Sequence, residues 1–509
     1  MNYTTHQPAN QQDSEMLKRM LVDENDTDSE QFWKIYDAPE NDGMTLLPVP
    51  SFLPGYRCTS SGMAHGPEGQ SLWCVKGELE SSNETRVCPK CGMAMNGNGT
   101  FLTPLRHLPF GNTPTCLGVI RDRFRCDKTG GCGTSISDPI PFKAEEHRIT
   151  MELNKYIEVL LTIGFTIVEI SGITGVGRNV IKDIDLKRLK ALYTEDGELR
   201  KHLEYTDAIG IEEFQLHIGR VYATLIVDMR TGHILWVQTG KKKAVVYDFI
   251  QHVGMEWMSH VKAVSCDMNS DFAEAFKEKC PHLRIVYDRF HIVKNFNEKV
   301  IDEIRKDEKK RLTEEGKLEE AEQLKGAKYI LYMSNDTRLE KDKKAAEGKV
   351  IRKGSKIAGF DDVVAKGGNQ QRYKDLIKDN ALLFTCDIIK EKLKAAYNCN
   401  YPPAMGRYIR AIIRLCNDSG NKHLMWFGRL LENHFDGVIA FATFHLSNGI
   451  LEGTNRKNKT VRRKAYGFND DDYFFLKIVD ASYHGAYSSP EERERWKNHA
   501  ISYRIFDTI

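Results

Sequence analysis

No stretch of this chain is apolar for long enough to cross a bilayer. The longest candidate, Leu160 to Ile173, is broken by threonine, glycine and glutamate and falls far short of the roughly 18 uninterrupted residues a span needs. No membrane partner is expected. The opening MNYTTHQPANQQDSE lacks an apolar core segment, so no signal peptide is expected either. Net charge is also small. The chain has 73 Lys and Arg against 71 Asp and Glu, so any nucleic-acid-binding surface has to be local. No internal repeat points to a solenoid or array. Four of the twelve cysteines carry metal-ligand spacing, which makes a disulfide framework the weaker reading.

What is present is enough for several domains. The 509 residues are 41% hydrophobic, more than one ordinary domain requires. Residues 1–45 are polar, acidic and turn-rich and read as a disordered segment, apart from an apolar patch at Phe32 to Tyr36. Residues 46–140 are rich in Gly, Pro, Cys and Ser, a composition that folds poorly without a staple. Helical periodicity takes over across 145–195. Five β-branched runs follow, AIGIEEFQ, YATLIVDM, HILWVQTG, KAVSCDM and RIVYDRF, with AVVYDFIQHVGMEWM and DFAEAFKEKC as helices between the last three. Short turns join the first three strands, so these should be antiparallel, and the last two follow helices and should be parallel. That is the order of a ribonuclease-H-like fold, placed at 205–295. A charged helical insertion follows at 296–440, with a Lys- and Gly-rich loop from Lys341 to Gly368. The remainder of the core is expected at 441–485 and a tail at 486–509.

The zinc candidate lies in 46–140. VCPKCG supplies Cys88 and Cys91, and FRCDKTGGCG supplies Cys126 and Cys132. Pro inside the first pair and Gly after it make a turn that aims two thiolates at one point, and structural zinc takes four such ligands. Free buried cysteines are the alternative, and Cys58, Cys74, Cys116 and His107 are possible substitute ligands.

TIVEISGITGVGRNVIKDI (166–184) reads as a helix-turn-helix. Val168, Ile170 and Ile173 would pack its first helix, and Val176, Val180 and Ile181 its second. Arg178 and Asn179 would then face base edges and Lys182 a phosphate. An ordinary helical hairpin is the bland counterpart.

Two-metal phosphodiester chemistry needs carboxylates converging from distant parts of the chain. The first strand offers Glu212 and Glu213 on opposite faces, so one of them can line a site. Asp267 ends the fourth strand, ahead of a helix start at Asn269, Ser270 and Asp271, and helix capping is its other reading. Glu452 lies in SNGILEGTNRKNKTVRRKAYGF. Helical spacing brings Asn455, Arg456, Lys459 and Arg463 near its face, a lone acid beside a basic stripe suited to phosphate. Asp288, His291 and Lys294 in YDRFHIVK read as active-site edge or DNA contacts, His291 and Lys294 being the DNA-binding candidates, with a structural Asp over a packed His as the alternative.

The groups CPKCG with RFRC, AIGIEEF, AVSCDMNSDF with IVYDRFHIVKNFN, and SNGILEGTNRKNKTVRRKAYGF resemble the ISL-three family of bacterial insertion-sequence transposases over roughly residues 85 to 480. The resemblance implies a zinc-binding region, a helix-turn-helix and a DDE catalytic domain with a helical insertion before the last acid. It implies Zn²⁺ as a structural ion and two Mg²⁺ ions, or Mn²⁺, held by Glu212, Asp267 and Glu452. It also implies cleavage at terminal inverted repeats of double-stranded DNA and joining to target DNA. The implied protein is a bacterial cytoplasmic one, on the nucleoid when bound, and a homodimer because two ends must be held together. Glu212 stands where the resemblance calls for Asp, and its extra methylene shifts a ligand of octahedral Mg²⁺. Asp207 and Asp228 are possible substitutes for it. The departure defines an alternative reading, a transposase-derived DNA-binding protein or repressor impaired in catalysis. A structure-selective nuclease of the same fold is a further rival.

Overall fold

The computed structural model describes residues 53–65, 71–80, 85–126, 130–268, 270–352, 362–364, 366–378, 380–446 and 449–483. The segments 1–45 and 486–509, the patch at Phe32 to Tyr36, and Asn269 lie outside them. The architecture is mixed α/β. The described residues fall into two compact units. One holds those up to Glu198 with Arg462–Leu476, and the other holds Leu199–Val461 with those from Lys477 on.

In the first unit β1 (Tyr56–His65), β2 (Ser71–Leu79), β3 (Met95–Phe110), β4 (Thr113–Cys126) and β5 (Ser135–Ser137) form one sheet. Its order is β1-β2-β4-β3, with β5 beside β4. β3 and β4 are 16 and 14 residues long and turn at Gly111, whose φ of 61° suits the first position of a tight hairpin turn. The sheet carries its own core of Val75, Leu105, Leu117, Val119, Ile140 and Phe142, in which no cysteine is a buried member. The segment thus has an apolar core in addition to the cysteines expected to staple it. Its strands are long, but glycine, proline and threonine inside them hide the alternation.

Three helices follow: α1 (Met151–Ile163), α2 (Ile167–Thr174) and α3 (Arg178–Tyr193). Thr166 and Glu169 form a capping box that starts α2, and Gly175 ends it in the left-handed region at φ 68°. Leu153, Ile157, Leu160 and Leu161 of α1 pack with Ile170, Val176, Ile181 and Ile184. Val168 and Ile173, expected inside, are exposed. α2 is only eight residues long and buries one stripe, Ile170 and Thr174, so residues off that stripe face water. A short hairpin, β6 (Thr194–Glu195) and β7 (Glu198–Leu199), follows.

The second unit is built on β8 (Ala208–His217), β9 (Val221–Asp228), β10 (Ile234–Thr239), β11 (Ala263–Cys266) and β12 (Arg284–Tyr287), in the order β10-β9-β8-β11-β12. β8, β9 and β10 are antiparallel, and β11 lies parallel to both β8 and β12. The all-buried Ala-Val-Ser-Cys of β11 is what a parallel strand covered on both faces requires. α4 (Lys243–Val253) and α5 (Met255–His260) connect β10 to β11. They form two helices, not the single one expected, because Gly254 at φ 87° breaks them. α6 (Ser270–Lys279) connects β11 to β12.

Helices then dominate. α7 (Arg289–Asn295) runs through a π-helical segment, Phe296–Ile301, into α8 (Asp302–Glu314). α9 (Leu318–Lys325), α10 (Lys328–Tyr332) and α11 (Asn335–Ala346) follow. The short pair β13 (Val350–Arg352) and β14 (Val363–Val364) comes next, and residues 353–361 and 365 of the Lys- and Gly-rich segment lie outside the described residues. Then come α12 (Asn369–Lys378), α13 (Ala381–Tyr397), α14 (Pro402–Asp418), α15 (Lys422–Asn433), α16 (Phe435–Ile439) and α17 (Phe441–Phe444). α18 (Gly449–Lys464) and α19 (Asp471–Tyr483) complete the described chain.

Two glycines let helices come close to the sheet. A Cβ on Gly210 of β8 would lie 3.0 Å from the Leu451 methyls of α18, and one on Gly437 of α16 would lie 2.5 Å from the Tyr287 ring of β12. Among the described residues no helix is long and apolar enough to cross a membrane.

Candidate active site and cysteine cluster

The hairpin of β3 and β4 carries its cysteines at one end. Cys126 closes β4 opposite Met95, and the Cys88–Cys91 turn precedes β3. Cys88 Sγ lies 3.4 Å from Cys132 Sγ and Cys91 Sγ 3.5 Å from Cys126 Sγ, and all four sulfurs fall within 4.8 Å of one another. A tetrahedron with Zn–S bonds of about 2.3 Å has S–S edges of about 3.8 Å, so the set fits that ion. Hydrogen bonding to the Met93 backbone and to the Thr134 side chain holds Cys91 and Cys132 below the ordinary thiol range, which favours the thiolate that metals take.

The possible substitutes lie elsewhere. Cys74 and Cys116 sit in a separate buried cluster with Ala64 and Leu72. Cys58 borders the sheet core. His107 is buried against the Thr150 hydroxyl at 2.9 Å. A second group, Glu146, His147 and Asp183, also draws close, but the Lys187 ammonium already bonds Glu146 and sits 3.4 Å from Asp183.

In the second unit the carboxylates gather on neighbouring strands. Glu212 projects from β8, Asp267 follows β11 and Asp288 follows β12. β11 lies between the other two strands, so three acids from distant parts of the sequence share one end of the sheet. Glu212 is half-buried and Glu213 exposed, the alternation expected of a strand. Burial first, then the charges of Asp288 and Asp267, push the Glu212 carboxyl up to about 7. The Asn455 amide, hydrogen-bonded to Glu212, and the charge of Lys459 pull the other way. Asn455 stands one helical turn beyond Leu451, the residue seated on Gly210, so the glycine contact sets how far Asn455 reaches.

Asp288 is buried and caps α7, accepting from the amides of Phe290 at 2.9 Å and His291 at 3.3 Å. Burial raises its pKa. His291 bridges two acids, with Nδ1 3.2 Å from Asp267 and Nε2 3.7 Å from Asp288. A carboxyl lifted by burial first and then by the charges of two neighbouring acids is in an environment that a divalent cation fits. Glu452 is placed differently. Its side chain is 57% exposed and accepts from Arg456 at 2.6 Å. Among the described residues, neither Glu212, Asp267 and Glu452 nor Glu212, Asp267 and Asp288 form a group with ligand atoms all within 4.8 Å of one another. Asp207 and Asp228 are engaged elsewhere. Asp207 takes both Arg230 Nε and Nη2, at 2.6 and 2.8 Å, and buried Asp228 accepts from Thr206, Thr231 and the Arg230 amide. Asp271 lies in the first turn of α6.

Of the basic candidates, Arg178 and Asn179 are exposed in the first turn of α3. Lys182 pairs with Asp470 at 3.0 Å and lies over the Tyr473 ring. Lys294, Lys459 and Arg463 are exposed. The sequence left two features unread. One is the role of Asn455, which only the approach of α18 to β8 brings out. The other is Gly210, whose signal was a glycine inside an apolar strand two residues before an acid.

A mixed sheet carrying converging acids from separate strands, in a chain with a four-thiol cluster, belongs to the class of DDE transposases. The transposase family model of that class matches residues 209–478, and the chain belongs to the ISL-three family of insertion-sequence transposases. It is 25% identical over 401 residues to the transposase for insertion sequence element IS1001 of Bordetella parapertussis, covering 79% of this chain and 89% of that one. It is 24% identical over 281 residues to the transposase for insertion sequence element IS1557 of Mycobacterium tuberculosis strain H37Rv, covering 51% of this chain and 56% of the relative.

Proposed function

We propose that this transposase binds the terminal inverted repeats of its own element and carries out metal-dependent strand cleavage and strand transfer on double-stranded DNA. The observation that carries the reading is the convergence of Glu212, Asp267 and Asp288 at one end of the β8-β11-β12 sheet, with Glu212 pushed up to about 7. The strand order, three antiparallel strands and then two parallel ones, supports a ribonuclease-H-like core interrupted by the helical segment 296–440 and completed by 441–485.

In this reading Glu212, Asp267 and Glu452 hold two Mg²⁺ or Mn²⁺ ions, with Glu452 turning from Arg456 towards the site. Bound divalent cations would supply the charge that acidifies an attacking water or 3′-hydroxyl and stabilises the leaving oxygen. The protein's own groups orient the site. The Asn455 amide fixes the Glu212 carboxylate, longer by one methylene than the Asp expected there. His291 braces Asp267 through Nδ1. Lys294, Arg456 and Lys459 of this unit neutralise DNA phosphates. In the other unit Arg463 does the same, and Cys88, Cys91, Cys126 and Cys132 hold structural Zn²⁺. Arg178 and Asn179 at the start of α3 read base edges, and Lys182 reaches a phosphate by leaving Asp470. Two ends held at once call for a homodimer acting on the bacterial nucleoid.

The test is cleavage of a labelled duplex carrying the element's terminal repeat, with Mg²⁺ or Mn²⁺. Wild type should cut, and Asp267→Ala and Glu452→Ala should each lose at least about a hundredfold, the scale of losing one charge-stabilising group. Glu212→Asp should retain activity. Cutting that survives both alanine changes removes those residues from the site. Binding without cutting, rescued only by Glu212→Asp, makes the protein an impaired, DNA-binding relative.

A further inference from the structure

The helical segment between the second and third acids holds two kinds of charged helix. In α8, Arg305, Lys306, Lys310 and Arg311 each pair with an acid of the same helix. In α9 and α11, Lys325 pairs with Glu322 and Lys344 with Glu340. Such faces are neutralised by their own sequence and need no partner.

Helix α14, PPAMGRYIRAIIRLCND, is different. Its buried side is Met405, Gly406, Ile409, Ile412 and Cys416, and it packs against α13, α15 and α16. Arg407, Arg410 and Arg414 are exposed. At 3.6 residues per turn the three fall within an arc of roughly 60°, away from the buried stripe. The helix has one acid, Asp418, at its C-terminal end. Among the described residues none of the three arginines has an ion-pair partner. Arg410 lies over the Phe435 ring at 5.0 Å, which holds its guanidinium in place without neutralising it.

From Arg407 to Arg414 the rise is about 10 Å. One DNA strand presents a phosphate every ~3.4 Å of duplex axis, so the row matches about three phosphates. Guanidinium groups suit phosphate oxygens geometrically as well as by charge. In a chain of formal net charge +2, an unneutralised row of this kind is a local feature.

We propose that the Arg407–Arg410–Arg414 face of α14 binds the phosphate backbone of duplex DNA, a contact outside the helix-turn-helix and the carboxylate site. The inference rests on the reading of the protein as a DNA transposase. The contact is independent of base sequence. It adds charge to substrate binding without touching the reacting atoms.

The experiment measures affinity of the full chain for a labelled duplex of arbitrary sequence across a salt series. Wild type is compared with R407A/R410A/R414A, with the charge-keeping R407K/R410K/R414K, and with R407E/R414E, which leaves Arg410 on Phe435. Thermal melting checks that each variant folds. The alanine variant should bind at least about tenfold more weakly, and the slope of log affinity against log salt should shrink by roughly 2 to 3. The lysine variant should keep the slope, and the glutamate variant should lose it at least as fully as alanine. Folded alanine and glutamate variants with the wild-type slope would overturn the assignment. So would a variant that binds DNA normally but loses self-association in light scattering, which would give the face to a second copy of the chain. Wild type that binds no duplex at low salt sinks the proposed DNA-binding and cleavage function itself. Wild type that binds and cuts, with an unchanged alanine variant, sinks this inference alone.

Discussion

Glu212 illustrates how a single residue reports its surroundings. A glutamate carboxyl ordinarily has a pKa near 4.5, and here burial and the charges of Asp288 and Asp267 push it up to about 7. With the folded value above the unfolded one, the metal-free protein keeps the associated stability below about pH 4.5 and loses it as pH rises through 7. Glu212→Gln should therefore stabilise the metal-free protein at pH 8 by about 2 kcal/mol and have little effect at pH 4.5, checked by denaturant melts at both values. Metal binding must displace the proton, so Mn²⁺ affinity by calorimetry should climb between pH 6 and 8. Asn455→Ala removes an amide that favours the ionised carboxylate, so the midpoint of that climb should move to higher pH. A midpoint left in place would make Asn455 a packing residue only.

Among the elements, the meeting of α18 with β8 decides the site. A side chain at Gly210 would meet Met229 Sδ at 2.5 Å and Leu451 at 3.0 Å. Met229 can swing aside, but Leu451 is buried on the helix that carries Asn455 and Glu452. Gly210→Val should cost roughly 1–3 kcal/mol by overpacking, and cleavage should fall further than stability, because the helix is pushed off the strand. Equal loss in melts and activity would reduce the contact to simple packing. The strand runs of 208–287 and the helix pair α2–α3 were legible because period-2 and capping signals are local. The packing of that pair was less so. Val168 and Ile173 look as apolar as Ile170, yet only the stripe facing α1 and α3 is covered. The long β3–β4 hairpin was not legible, because its core alternation is diluted by threonine, proline and arginine.

Across the whole molecule two kinds of candidate metal ligand fall in different units, the four-thiol cluster in one and Glu212, Asp267 and Asp288, on neighbouring strands, in the other. The sheet holding the thiols has a separate apolar core, while Cys88 and Cys126 pack with Met95 at the hairpin end. Zinc removal by a strong chelator, or Cys91→Ser, should therefore fray that end without melting the sheet. Hydrogen exchange should speed up at residues 95–100 and 122–126 and stay slow around Leu105 and Leu117. Loss of protection across the whole sheet would show that the metal, not the apolar core, holds it together. The sequence by itself determined the order of the five strands in 208–287, the four cysteines and the identities of the acids, since these depend on periodicity, turn chemistry and residue type. Only the tertiary structure decided which acids share a space. Glu212, Asp267 and Asp288 stand on neighbouring strands at one end of the sheet because β11 lies parallel between β8 and β12. Glu452 rests on Arg456, the neighbour one turn along that helical spacing itself supplies, while its separation from Glu212 and Asp267 depends on where α18 packs, which no local pattern encodes.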